Sequence, residues 1–322
     1  MTEQIKVRQE GAVAIIEFAN PPMNFISHVM LQEFHRELIR VKQDRTVRVL
    51  VLTGGMKDSF LTHYDVAELL AFSEKGDPSR GSRRVARLVT WLLRQIQERA
   101  WLENFILQGL EKRSPAERGI FYWSRCLELL DTLPKPVIAA INGLALGGGC
   151  EISLCCDFRF MARGEYYRIG LPEVLVGIIP GGTGTPLRLP RVVGEAKALE
   201  MLLTGTLYTP EAAEAMGLIH RALPPEELMP AVMELAERLA RGAPLAQASI
   251  KRDVRLGSRL SYAQARALDL AVTNAAVYSE DARRGMRRYV EEVAKYNSLD
   301  LKVVLANAEE FLAARAVEYQ GH

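Results

Sequence analysis

Three consecutive glycines followed by an acid, Gly147-Gly148-Gly149-Cys150-Glu151, are the residues whose types and spacing point most directly to chemistry. They sit between the run Leu144 to Leu146 and the apolar CEISLCC, so the expected setting is a strand running into a buried helix. Consecutive glycines let the backbone reach positive φ and let a ligand approach the amides closely. Free amides at a helix start favour negative charge, which suits a developing oxyanion such as a thioester enolate. The competing reading is a tight turn packed against its neighbours. A second acid, Glu173, stands in Leu171-Pro172-Glu173 between the stretch 166–170 and VLVGIIP. Hydrophobic flanks disfavour exposure, and a carboxyl in an apolar pocket has a raised pKa suited to proton transfer near neutrality. Glu151 and Glu173 form an acid/base pair if the fold brings them together. No G-x-G-x-x-G follows a strand and no G-x-x-x-x-G-K-[ST] occurs, so NAD and ATP lose their usual support.

The elements that must position these residues read as follows. AVAIIEF (12–18) and VRVLVLT (47–53) are apolar, β-branched runs expected as buried strands, with helical spacing over 29–42 between them. This strand, helix, strand order opens an α/β fold. VIAAI (137–141) predicts a further strand and Asn142-Gly143 a turn. Segment 73–125 holds all three tryptophans and predicts a helical hairpin, its second helix announced by the capping box Ser114-Pro115-Ala116-Glu117. Thr209-Pro210-Glu211 starts another helix that Gly217 stops, and 226–240, 245–256, 262–276 and 280–295 are helical in pattern. The expected organisation is an α/β core over 1–205, with the hairpin inserted at about 73–125, and a helical region over 206–322.

Length and composition bound the function. The 322 residues are 48% hydrophobic, enough for a full core, and 41 basic against 39 acidic side chains leave a formal charge of +2. That balance argues against nucleic acid as the main partner. No run of about eighteen apolar residues occurs and the start, Met1 to Glu10, is polar, so neither a membrane span nor secretion is expected. Cys126, Cys150, Cys155 and Cys156 make no CxxC pair and fit reduced core residues of a cytoplasmic protein. The remaining histidines, His28, His35, His220 and His322, lack metal-ligand spacing, and no metal is expected.

The run PKPVIAAING (134–143) followed by ALGGGCE (145–151) resembles the signature of the crotonase (enoyl-CoA hydratase/isomerase) superfamily, and most closely its hydratases. The likeness continues through Leu171-Pro172-Glu173, GIIPGG (177–182), Leu203-Thr204-Gly205, AAEAMGL (212–218) and SEDARRGM (279–286), leaving out chiefly 73–125 and the tail after about 296. It implies a spiral of repeated ββα turns with a helical trimerisation region, assembled as a trimer or dimer of trimers. It also implies an acyl-CoA substrate, with coenzyme A arriving as part of that substrate and no tightly bound cofactor. The Gly148 amide then supplies half of an oxyanion hole, and Glu151 and Glu173 match the two catalytic glutamates of hydratases. Two amides would polarise a trans-2-enoyl thioester while Glu151 activates water and Glu173 protonates the α-carbon. An isomerase, an acyl-CoA or carbon-carbon bond hydrolase, and a silent assembly or RNA-binding protein remain alternatives on this scaffold.

The sequence departs from the family pattern at three places. The other half of the hole usually lies in a small-residue run ending Gly-Ala-Asp, where this chain has FLTHYD (60–65), so the second donor amide falls on Tyr64. His63 is then either a proton-transfer group or substrate contact, or a histidine satisfied by backbone at a loop edge. The loop 180–191 is one residue longer than usual, and the hairpin at 73–125 either shapes the acyl pocket, covers it as a lid, or buries against a neighbouring subunit. Arg83, Arg84, Arg87 and Arg94 read as solvated. Lys251, Arg252, Arg284, Arg287 and Arg288 are candidates for the CoA phosphates without a favourite among them.

Overall fold

A computed structural model describes residues 3–75, 109, 112–180, 184–294 and 319–321. Ile5–Glu10 (β1) pairs antiparallel with Val13–Phe18 (β2). Only Ile5 of β1 is buried, so the apolar pattern does not announce this edge strand. His28–Gln43 (α1) follows, with the Ser27 hydroxyl accepting the Met30 amide as a cap, and Val49–Gly54 (β3) lies parallel to β2. These are the expected strand, helix and strand.

From β3 onward the chain repeats one unit, with a strand in a large sheet, a strand in a second sheet, then a helix. β3 leads to Ser59–Leu61 (β4) and Val66–Lys75 (α2). Pro115–Thr132 (α3) then leads to Val137–Ile141 (β5), Leu144–Leu146 (β6) and Gly148–Cys155 (α4). Phe158–Ala162 (β7) and Ile169–Gly170 (β8) are followed by a 3-10 turn, Pro172–Val176, then Thr185–Val193 (α5) and Glu195–Thr204 (α6). The large sheet has the order β1-β2-β3-β5-β7-β10 and the small one β4-β6-β8-β9, every pairing among β2, β3, β5, β7 and β10 being parallel. This is the spiral of ββα turns that the resemblance implied.

Two short strands past residue 205, Leu207–Tyr208 (β9) and Arg221–Leu223 (β10), flank Pro210–Ala215 (α7) and close the two sheets. The stretch after 205 is therefore not purely helical, because pairing with β8 and β7 supplies order that two- and three-residue runs cannot announce. Helices Pro225–Ala240 (α8), Pro244–Arg252 (α9), Tyr262–Val277 (α10) and Glu280–Val293 (α11) match expectation, with a π-helical turn Asp253–Gly257 after α9. The second helix of the expected hairpin is α3, and its capping box forms as read. The first helix of that hairpin, with Arg83, Arg84, Arg87 and Arg94, lies outside the described residues.

Strand alternation splits the large sheet between two cores. Val13, Ile15, Val49, Val51, Ile138 and Ala140 face Leu228, Val232 and Ala236 of α8. Ile16, Leu50, Leu52, Ala139 and Ile141 face the larger core, where α1 and α3 pack together. One ionic cluster ties this body to the C-terminal helices. Asp131 of α3 accepts Arg188 of α5 at 2.5 Å and Arg255 at 2.7 Å. Arg255 also reaches Asp157 and the Cys155 carbonyl, each at 2.7 Å. Lys251 donates to Asp157 at 2.8 Å and to the Lys135 carbonyl at 3.0 Å. Lys251 is thus committed to the interior of the fold, which removes it from the candidates for a phosphate contact.

Candidate active site

Parallel pairing in the small sheet assembles the site. β4 pairs with β6 and β6 with β8, so the segments that leave the carboxyl ends of these three strands emerge side by side. They are His63-Tyr64 after β4, Gly147-Gly148 after β6, and Leu171-Pro172-Glu173 after β8. In parallel sheets this edge is where ligands bind.

Gly147 adopts φ +52°, ψ −118°, outside the range open to an ordinary residue. Its amide donates to the Gly170 carbonyl at 2.8 Å, and its carbonyl accepts the Glu151 amide at 2.9 Å. That second bond is the first of α4, so the amides of Gly148, Gly149 and Cys150 precede it and carry the positive end of the helix. A Cβ on Gly147 would lie 2.9 Å from Glu173 Oε1 and 3.0 Å from His63 Cβ, whereas one on Gly148 would meet Ile26 Cδ1 at 2.6 Å and Trp123 of α3 at 3.0 Å. The turn is therefore flanked by His63 and Glu173 on one side and by Ile26 and Trp123 on the other.

Tyr64 forms a parallel bridge with Ile26. The Ile26 amide donates to His63 O at 3.1 Å and the Asp65 amide to Ile26 O at 2.9 Å. Both bonds use the neighbours of Tyr64, so its own N–H points away from Ile26. The Tyr64 ring turns toward α3, and its hydroxyl donates to Glu68 Oε2 at 2.5 Å. Burial, with the adjacent Glu68, holds that phenol far above its ordinary pKa. The bulk the sequence placed here therefore leaves the turn for the gap between helices.

His63 Nδ1 lies 2.9 Å from the Tyr64 carbonyl and its ring tilts onto Phe25 at 4.7 Å. A carbonyl only accepts, so Nδ1 carries a proton, and Nε2 is the ring nitrogen left to meet a ligand. The backbone bond expected of a loop-edge histidine is present, and the same residue abuts Gly147.

The two acids differ in surroundings. Glu151, one turn into α4, is 5% exposed, and its Oε2 accepts the hydroxyl of fully buried Thr185 at the start of α5. Glu173 rides the 3-10 turn, with Oε2 buried and without a hydrogen-bond partner among the described residues. Desolvation pushes its pKa up to about 7. Both acids surround Cys150, whose thiol is pushed up first by burial and then by Glu173 and Glu151. The fold thus brings to one edge the five residues that the sequence singled out for the proton transfers, the oxyanion amides and a substrate contact, Glu151, Glu173, Gly148, Tyr64 and His63. Thr185 was not foreseen, although its place before Pro186 marks a helix start that could have suggested it.

Residues 108–298, over half of the chain, match the family model described as enoyl-CoA hydratase/isomerase. The chain belongs to the enoyl-CoA hydratase/isomerase family. It is 29% identical to a crotonyl-CoA hydratase of Syntrophomonas wolfei, an alignment covering 90% of this chain and 96% of that protein. It is 28% identical to a short-chain-enoyl-CoA hydratase of Clostridium acetobutylicum, over 89% of this chain and 94% of that one. The family fold recurs in a crystal structure of an enoyl-CoA hydratase from Bacillus anthracis, at TM-score 0.73 and 24% identity over 99% of this chain and 100% of that one.

Proposed function

We propose that this family member is an enoyl-CoA hydratase that adds water across a trans-2-enoyl-CoA thioester. The observation that carries the reading is a pair of acids in unlike environments beside one amide-lined turn, with Glu151 hydrogen-bonded and Glu173 desolvated with a pKa of about 7. Unlike environments separate acid and base roles. The hydratases among its relatives support the same assignment.

In the proposed mechanism the amides of Gly148 and Tyr64 bind the thioester oxygen. Charge grows on that oxygen as water attacks the β-carbon, so amides fixed beforehand favour the transition state over the ground state. Glu151 orients the water and takes its proton. Glu173, protonated before reaction, delivers a proton to the α-carbon of the enolate, and the reverse sequence dehydrates a 3-hydroxyacyl-CoA. His63 stands beside Glu173 as a polar wall, with Nε2 left for a substrate contact.

We also propose a homotrimer or dimer of trimers. Apolar side chains left open on the C-terminal helices support it, among them Ile250 at 65% and Val254 at 68% exposure.

The test is incubation of the purified protein with short 2-enoyl-CoA thioesters, with products identified by mass. A gain of one water without free CoA is expected. Glu151→Gln and Glu173→Gln are each expected to cut kcat by about a hundredfold or more while CoA binding persists. Free CoA as product would move the assignment to hydrolysis, and full activity in both variants would overturn the mechanism.

A further inference from the structure

The residue proposed to lend the second oxyanion amide carries a phenol that the amide itself does not need, and that phenol ends a chain of side-chain hydrogen bonds. Tyr64 Oη donates to Glu68 Oε2 at 2.5 Å, Glu68 Oε1 lies 2.8 Å from His28 Nδ1, and His28 Nε2 lies 3.3 Å from Arg118 Nη2. Chemistry fixes the direction of each bond. A guanidinium only donates, so His28 Nε2 accepts; the neutral ring then carries its proton on Nδ1 and donates it to the carboxylate. Donors thus converge on Glu68 from both sides, with no group asked to play two incompatible roles.

These residues come from three helices, His28 opening α1, Glu68 in α2 and Arg118 in α3. The next residue of α3 makes room for the phenol. A Cβ on Gly119 would fall 1.8 Å from Tyr64 Oη and 2.8 Å from its Cζ. The backbone at Tyr64 is already held on one side by its bridge to Ile26, and the side chain now ties the same residue to the helices opposite. Partial shelter, with the His28 and Glu68 side chains 17% and 18% exposed, keeps these bonds from free exchange with water.

We infer that the Arg118–His28–Glu68–Tyr64 relay positions the Tyr64 amide against the thioester oxygen of the substrate. Tyr64 thereby acts twice, through its amide on substrate and through its phenol as the anchor of that amide. Glu68, His28 and Arg118 are positioning residues. The inference rests on the proposed use of that amide by an acyl thioester.

Two readouts test it. The first is kcat and KM on a short 2-enoyl-CoA, and the second is the absorption of bound cinnamoyl-CoA, which moves to longer wavelength as its carbonyl is polarised. Tyr64→Phe keeps the ring and removes the anchor, and Glu68→Gln places an amide where two donors need an acceptor. Each variant is expected to lower kcat about tenfold with KM within about threefold, and to shrink the red shift of the bound chromophore. Gly119→Ala is expected to do the same, and to cost less when combined with Tyr64→Phe. Wild-type kcat and red shift in both Tyr64→Phe and Glu68→Gln would overturn the relay. If the native protein hydrates no enoyl-CoA but still red-shifts cinnamoyl-CoA, the hydratase reading falls while the optical test of the relay stands. Absence of both signals in the native protein would overturn the two together.

Discussion

Single residues carry the proposed proton transfers. Glu173 has a pKa of about 7, raised from the ordinary carboxyl range by desolvation. As the proposed acid in hydration it must be protonated, so kcat/KM is expected to fall as pH rises through about 7, a limb that Glu173→Gln removes along with most of the activity. Stability follows the same sign. The folded state holds this proton after the unfolded chain has lost it, so the stability Glu173 contributes is complete below the carboxyl range and is lost as pH rises through 7. Melting curves between about pH 5 and about pH 8 should therefore favour Glu173→Gln over the native protein increasingly toward the alkaline end. Thr185 belongs to this scale as well. Its hydroxyl serves Glu151 Oε2 inside a fully buried contact. Thr185→Val keeps the shape, removes the donor, and is expected to cost roughly tenfold in kcat, recovered in Thr185→Ser.

Elements matter through what holds their ends. α4 starts at the glycine turn and its last residue, Cys155, gives its carbonyl to Arg255, so the helix that presents Glu151 is fixed at both termini. Asp131 and Asp157 in turn hold Arg255 and bind it to α3. The side chains of Asp131 and Arg188 are each 11% exposed, so removing one partner leaves charge with little water to receive it. Arg255→Ala leaves Asp131 with Arg188 and Asp157 with Lys251, and is expected to destabilise the protein by about 1 to 2 kcal/mol, read as a lower Tm in differential scanning calorimetry. Arg255→Lys should recover part of this, since one ammonium cannot serve Asp131, Asp157 and Cys155 in the guanidinium's fork geometry.

At the scale of the whole molecule the proposed trimer makes a prediction of its own. Val254 at 68% and Ile250 at 65% exposure are adjacent to the ionic cluster through Arg255 and Lys251. If these apolar groups bury between subunits, Val254→Asp shifts the protein toward monomer in analytical ultracentrifugation, with loss of thermal stability that depends on protein concentration. A native protein that sediments as a monomer at all concentrations would remove the trimer proposal and leave the site assignment untouched.

Much of this protein is local in origin and so was legible in the residues. β2, β3 and β5 are apolar runs, α1, α8 and α11 are periodic, Ser114 and Thr209 cap their helices, and three glycines announce a strand-to-helix turn. Glu151 was legible as a candidate because it opens a buried apolar helix; the apolar flanks that suggested Glu173 are themselves largely exposed, Leu175 and Ile179 among them, and its carboxyl is sheltered instead by tertiary contact with the glycine turn. Tertiary structure decided the rest. β1, β9 and β10 exist because a neighbouring strand completes their hydrogen bonds, which no run of two to six residues encodes alone. Parallel pairing of β4, β6 and β8 decided that Tyr64, Gly148 and Glu173 share one edge. Thr185 on Glu151, and Arg118, His28 and Glu68 behind Tyr64, come from separate helices whose meeting depends on packing. Sequence determined which groups can do chemistry, because that follows from residue type and local burial. The fold alone determined which groups support them, because hydrogen bonds act over about 3 Å and chain separation carries no such distance.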